Sequence, residues 1–129
     1  MASYPGDLKY DKEHEWVRVE GDTAVIGISD FAQDQLGEVV FVDLPDVGSE
    51  VVAGETFGEI ESVKSVSDLF SPVTGSIVEK NEGLSDTPET VNEDAYGGGW
   101  LIKVKLNDAA ELDGLMSAAD YEAFIAGEA

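Results

Sequence analysis

Short runs rich in β-branched residues, each cut off by a turn signal, recur along this chain from residue 15 to residue 106. That cadence predicts a small barrel or flattened sandwich. EWVRVE (15–20) and TAVIGIS (23–29) are separated by Gly21-Asp22 and read as a hairpin. Asp30 or Ser29 caps a short helix over FAQDQL, near 30–36, with Gln33 completing a capping box from Asp30. Gly37 then ends the helix in the left-handed conformation. EVVFVDL (38–44) is a further strand, stopped by Pro45.

The middle carries a weak internal repeat. GSEVVAGE from Gly48 and GSIVEKNE from Gly75 match at Gly, Ser, Val and Glu, with Gly54 opposite Asn81, two residue types that tolerate positive φ. Two similar strand–turn units would then flank GEIESVKSVSDLF (58–70), which reads as two short strands back to back. GLSDTPETVNEDAYGGG (83–99) reads as a polar, Gly-rich loop. WLIKVKL (100–106) is a strand with Lys103 and Lys105 on one face and Ile102, Val104 and Leu106 on the other. Beyond it the apolar period becomes helical: Leu112, Leu115 and Met116, then Tyr121, Phe124 and Ile125, predict two short helices broken near 114–117. The expectation is one mainly β domain over 1–129, with a core of about 7–106 and a helical tail over 107–127.

Seven basic residues against 28 acidic ones give a formal net charge of −21. Such a field repels nucleic acid and anionic membranes and suits docking on basic surfaces. The excess is similar to that of halophilic proteins, where salt screens the repulsion; an ordinary acidic carrier is the competing reading. The self-repulsion favours a monomer at low salt. No apolar stretch approaches a membrane span, and the first residues suggest neither a secretory signal nor a transit peptide, so a cytoplasmic, prokaryotic setting is expected. With no cysteine, any redox role must be borrowed from a cofactor.

Catalytic patterns fail one by one. His14-Glu15 opens like a zinc-protease helix, but position 18 is Arg; one His and no Cys leave no metal site to expect. There is no G-x-S-x-G elbow and no phosphate-binding loop, since Gly97-Gly98-Gly99 runs into a strand. What stands out is Lys64, isolated on a hairpin tip 52 residues after Lys12 and 16 before Lys80. A lysine there presents its amine clear of the body, where a modifying enzyme can reach it.

The segment GEIESVKSVSDLFSPVTGSIVEKN resembles the lipoyl-attachment segment of the glycine cleavage system H protein family, whose core pattern is E-S-V-K-(A/S/T)-x-S-D. HEWV (14–17), GISDFAQDQLGEVVFVDLPDVG (27–48) and VNEDAYGGGWLIKVK (91–105) agree, and the resemblance covers roughly residues 7 to 125. It implies a barrel-sandwich hybrid of the lipoyl/biotinyl-carrier type, with lipoate in amide linkage on Lys64. It also implies a non-catalytic role: the arm would take an aminomethyl group from glycine decarboxylase (P protein) to aminomethyltransferase (T protein), and dihydrolipoamide dehydrogenase (L protein) would reoxidise it. An H-like relay passing lipoyl groups to 2-oxoacid dehydrogenase complexes is the alternative. Biotin carriers usually bracket the lysine with methionines, whereas Val63 and Ser65 do so here.

By the same resemblance, Glu61 and Gly75 match positions associated with recognition by the lipoylating enzyme. Glu13, Glu15 and Asp68 fall where the family keeps polar residues against the loaded arm. Gln35 stands where relatives can carry histidine; it can hydrogen-bond the arm but cannot titrate. His14 is expected to be a structural partner near the strand start. Ala95, where many relatives have proline, is expected to loosen the Gly-rich loop.

Overall fold

The computed structural model describes residues 4–127. Its strands are β1 (Lys9–Tyr10), β2 (Glu15–Glu20), β3 (Thr23–Ile28), β4 (Val39–Asp43), β5 (Glu50–Val51), β6 (Thr56–Ser62), β7 (Val66–Phe70), β8 (Gly75–Lys80) and β9 (Ile102–Leu106). They form a six-stranded sheet, ordered β1-β2-β3-β9-β8-β5, and a three-stranded sheet, ordered β4-β6-β7. The protein is therefore mainly β and sandwich-like. Ile28, Leu36, Ile60, Leu69 and Leu101 fill one part of the core, and Val17, Ile26, Val51, Ile77 and Val104 another; Leu44 and Phe57 pack against both. Fully burying a side chain of this kind stabilises the fold by about 1.5–3 kcal/mol.

The repeat acquires a structural meaning. β5 and β8 lie side by side, antiparallel, with Glu50 opposite Ser76 and Val51 opposite Gly75. The turn match is only partial: Gly54 has φ 85, but Asn81 has φ −82. Asn81 uses its side chain instead, donating to the carbonyls of Gly98 and Trp100, each at 2.8 Å.

Helix α1 (Asp30–Leu36) forms where expected, but its cap differs from the capping box. Ser29 is the N-cap, its Oγ accepting from the Ala32 N–H at 3.2 Å. Gln33 reaches the Asp30 side chain, not a backbone N–H, because the Asp30 N–H already donates to the Tyr96 hydroxyl at 2.8 Å.

The supposed loop after β8 is more ordered than its polarity suggests. It contains a 3-10 helix (Glu82–Ser85) and a one-turn helix, α2 (Thr90–Glu93), which bury Leu84 and Val91. The loop is also tied to β2: the Ala95 carbonyl accepts from Trp16 Nε1 at 2.9 Å, and the Tyr96 carbonyl from Arg18 at 3.1 Å. In the tail, the first predicted helix is a 3-10 helix (Ala109–Gly114); the second, α3 (Ala118–Ala126), is capped by Ser117. α3 lays Tyr121 on Tyr10, ring centroids 4.7 Å apart and nearly parallel, against buried Trp16.

Candidate functional site

Strands β6 and β7 pair antiparallel from Glu61 opposite Val66 back to Thr56 opposite Phe70, leaving Val63, Lys64 and Ser65 as the turn. Ser62 holds that turn together. Its N–H donates to the Ser65 carbonyl at 2.8 Å, and its Oγ accepts from the N–H groups of Lys64 and Ser65, each at 3.2 Å. Lys64 itself is exposed. Its stem passes over Gly37, where a Cβ would stand 3.0 Å from Lys64 Cε and 3.6 Å from Nζ. Gly37 has φ 82 and ψ −157, a region open essentially only to glycine, so the α1–β4 turn is both tight and bare beneath the lysine.

Beside the tip lies a cleft of about 520 Å³. β7 is an outer strand of its sheet, and Ser65, Ser67, Asp68 and Phe70 line one wall. α1 forms another with Phe31, Ala32 and Gln35, and the turn into β2 supplies Glu13, His14 and Glu15. Ile28, Leu36, Ile60 and Leu69 give the interior an apolar floor. Four of the predicted site residues, Glu13, Glu15, Gln35 and Asp68, are thus brought together around one space, although 55 positions separate Glu13 from Asp68. No lysine or arginine lines that space among the described residues.

Glu15 is the unusual wall residue. It is 1% exposed; Oε2 accepts from the Phe70 N–H at 3.2 Å, while Oε1 has no hydrogen-bond partner among the described residues. Burial, reinforced by the nearby Asp11 carboxyl, pushes the Glu15 carboxyl well above the ordinary carboxylate range; the Phe70 N–H opposes this only in part. The unpartnered oxygen is open to a donor arriving in the cleft. The approach of a cation would favour the carboxylate.

His14 connects this wall to the tail. It has φ 70, rare for a residue with a side chain, and its Nδ1 lies 2.8 Å from the Tyr121 hydroxyl. The same hydroxyl is 2.7 Å from Ser29 Oγ, the cap of α1. His14 thus makes a structural contact near the strand start while also lining the cleft, and Tyr121 joins two walls of the cleft from behind.

Glu61 and Gly75 do not line the cleft. Glu61 is exposed, opposite Phe41 and Val66, on the outer face near the tip. Gly75 is buried in β8; an added Cβ would strike the Lys105 carbonyl oxygen and stand 2.7 Å from Val104 Cγ1. Sequence reasoning placed Gly37 at the end of α1 and Tyr121 on the tail's apolar face but missed their contacts at the site, and it did not single out Ser62 or Asn92. The block VNEDAYGGGW held the only hint of Asn92.

Comparison with known proteins takes in nearly the whole chain. The family model described as "Glycine cleavage H-protein" matches residues 8–128. The chain is 57% identical over 124 residues to the glycine cleavage system H protein of Symbiobacterium thermophilum, covering 96% of this chain and 97% of that one. It is 57% identical over 129 residues to the H protein of Marinobacter nauticus, covering 99% of each. The crystal structure of a glycine cleavage system H protein from Mycobacterium marinum superposes with a TM-score of 0.87 at 41% identity, over 95% of this chain and 98% of that one.

Proposed function

The chain belongs to the glycine cleavage H-protein family, and on that premise we propose that it carries lipoate in amide linkage on Lys64 and shuttles an aminomethyl group between the enzymes of glycine cleavage. Glycine decarboxylase loads the arm, aminomethyltransferase unloads it, and dihydrolipoamide dehydrogenase restores its disulfide; the chain itself catalyses none of these steps. When bound, the lipoyl group supplies the redox-active disulfide that a chain without cysteine lacks. Bacterial relatives favour a cytoplasmic setting.

The observation that carries the reading is the pairing of an exposed lysine on a short turn with an adjoining acid-walled, apolar-floored cleft. Ile28, Leu36, Ile60 and Leu69 suit the hydrocarbon of the arm. Glu13, Glu15 and Asp68 suit a cationic amine at its end, and Gln35 offers a hydrogen bond that does not change with pH. A cationic amine favours the ionised form of Glu15, so the cleft suits the loaded, charged arm better than the empty one. Outside the cleft, exposed Glu61 meets the lipoylating enzyme, while buried Gly75 bears on lipoylation through the folded population that the packing of β8 against β9 maintains.

The test is Lys64→Arg, which keeps the charge and removes the acylable amine. Intact mass and peptide mapping after co-expression with a lipoate ligase should show the lipoyl increment on the Lys64 peptide of the parent and none in the variant. Glycine–bicarbonate exchange with the decarboxylase should vanish with it. Exchange that survives the substitution would overturn the assignment.

A further inference from the structure

Helix α2 has no part in the cleft, yet one of its side chains makes three hydrogen bonds to the ground beneath Lys64. Asn92 Nδ2 donates to the Gly37 carbonyl at 2.7 Å and to Gln33 Oε1 at 3.0 Å; Asn92 Oδ1 accepts from the Val39 N–H at 2.8 Å. Both amide N–H groups and the carbonyl oxygen are engaged, on partners at the end of α1 and the start of β4. The residue between them, Glu38, accepts at its carbonyl from the Val63 N–H at 3.0 Å. That N–H belongs to the Lys64 turn, and Lys64's stem crosses Gly37. A continuous chain of contacts thus runs from Asn92 through 37–39 to the turn that bears the lysine.

The chemistry of the link is specific. Gly37 ends α1 in a glycine-only conformation, and the carbonyls of a helix's last turn have no partners inside the helix. Without Asn92, the Gly37 carbonyl and the Val39 N–H both lose the partners that fix the plane of the shelf. Ser62 fixes the turn internally, but the Val63–Glu38 bond ties it to the body, and the position of Glu38 is set by its two neighbours.

We propose that Asn92 is a positioning residue for lysine modification: it fixes the 37–39 shelf and so sets where the Lys64 amine stands for acylation. This rests on Lys64 being the attachment site. Asn92→Asp keeps the acceptor for the Val39 N–H but replaces both donors with an anion facing the Gly37 carbonyl. Loss of placement without loss of docking surface lowers the turnover rate of lipoylation about tenfold and leaves the KM for the protein unchanged.

The experiment uses the full chain and a lipoate ligase, with the rate read by intact mass. Val91→Ala is the control: Val91 is fully buried beside Asn92, so its truncation destabilises α2 while leaving the three bonds in place. The expected result is a turnover defect in Asn92→Asp that exceeds the defect in Val91→Ala at matched distance below each melting temperature. Faster amide exchange at Val63 should accompany it in the Asp variant alone. Equal defects in the two variants, or parent-like turnover and Val63 exchange in Asn92→Asp, would overturn the inference. A parent chain that is not acylated on Lys64 would overturn the attachment reading itself, whereas the Val63 exchange comparison is independent of acylation and tests the shelf on its own.

Discussion

The backbone N–H of Phe70 donates to the carboxyl of Glu15 at 3.2 Å, joining the outer strand of the small sheet to the first residue of β2 in the large one. One acid thereby does two things: it satisfies a strand-edge donor, and it holds a second oxygen without a partner at the wall of the cleft. The consequence is a pH-dependent fold. The folded carboxyl titrates above its unfolded value of about 4.5, so its contribution is full below that pH and is lost as pH rises through the folded value. Glu15→Gln keeps an acceptor for Phe70 and cannot ionise. Denaturant unfolding across that range should show the parent losing stability relative to the variant, by on the order of 1 kcal/mol or more at neutral pH. Parallel pH curves would contradict the raised titration of Glu15.

Gly37→Ala should fail twice. The backbone conformation costs a side-chain-bearing residue about 1–3 kcal/mol, and the new methyl group lies 3.0 Å from Lys64 Cε, which must move aside. Gly48→Ala is the matched control, since Gly48 has φ 97 and open space around its missing Cβ. Thermal melts should drop in both variants, and lipoylation rate in the first alone.

Gly75→Ala should destabilise by about 1–3 kcal/mol through overpacking between β8 and β9. Its methyl group has nowhere to go, because the obstructing Lys105 oxygen is backbone. Lipoylation per folded molecule, measured well below the melting point, should then stay near the parent rate. A larger deficit would mean that the ligase senses this part of the sheet directly.

Tyr121→Phe removes one hydroxyl and two contacts, to His14 Nδ1 and to Ser29 Oγ. A loss of about 1–2 kcal/mol is expected, the range for a buried hydrogen-bonded hydroxyl. The His14 ring, with the Phe31 ring 5.0 Å away, should show broadened or shifted NMR resonances. Unchanged His14 signals would place the whole effect in packing.

How much of this could be read from the sequence follows from the distance over which each feature is determined. The β2–β3 hairpin, α1 and the Lys64 turn are set by neighbouring residues, and their positions were legible. Glu13, Glu15, Gln35 and Asp68 were reachable only through family resemblance, because composition offered too many carboxylates to choose among. The contacts of Asn92 and Tyr121 stayed hidden for a physical reason: their partners lie 55 and 92 residues away, at Gly37 and Ser29. Polarity also misled. The stretch 83–99 looks like loop because only Leu84 and Val91 anchor its helical turns, and two apolar residues make no periodic pattern.

The outer position of β7 has a further consequence, for how copies of the chain meet at high concentration. An unpaired strand edge is a template on which another copy can extend the sheet, the first step toward aggregation. Here Glu15 takes the Phe70 N–H, and the edge borders a cleft whose rim carries Glu13 and Asp68. A second β7 approaching in register would meet like charge before it met a hydrogen-bond donor. The groups suited to receiving a cation also guard the strand against its own kind, so cleft and colloidal stability rest on the same carboxylates.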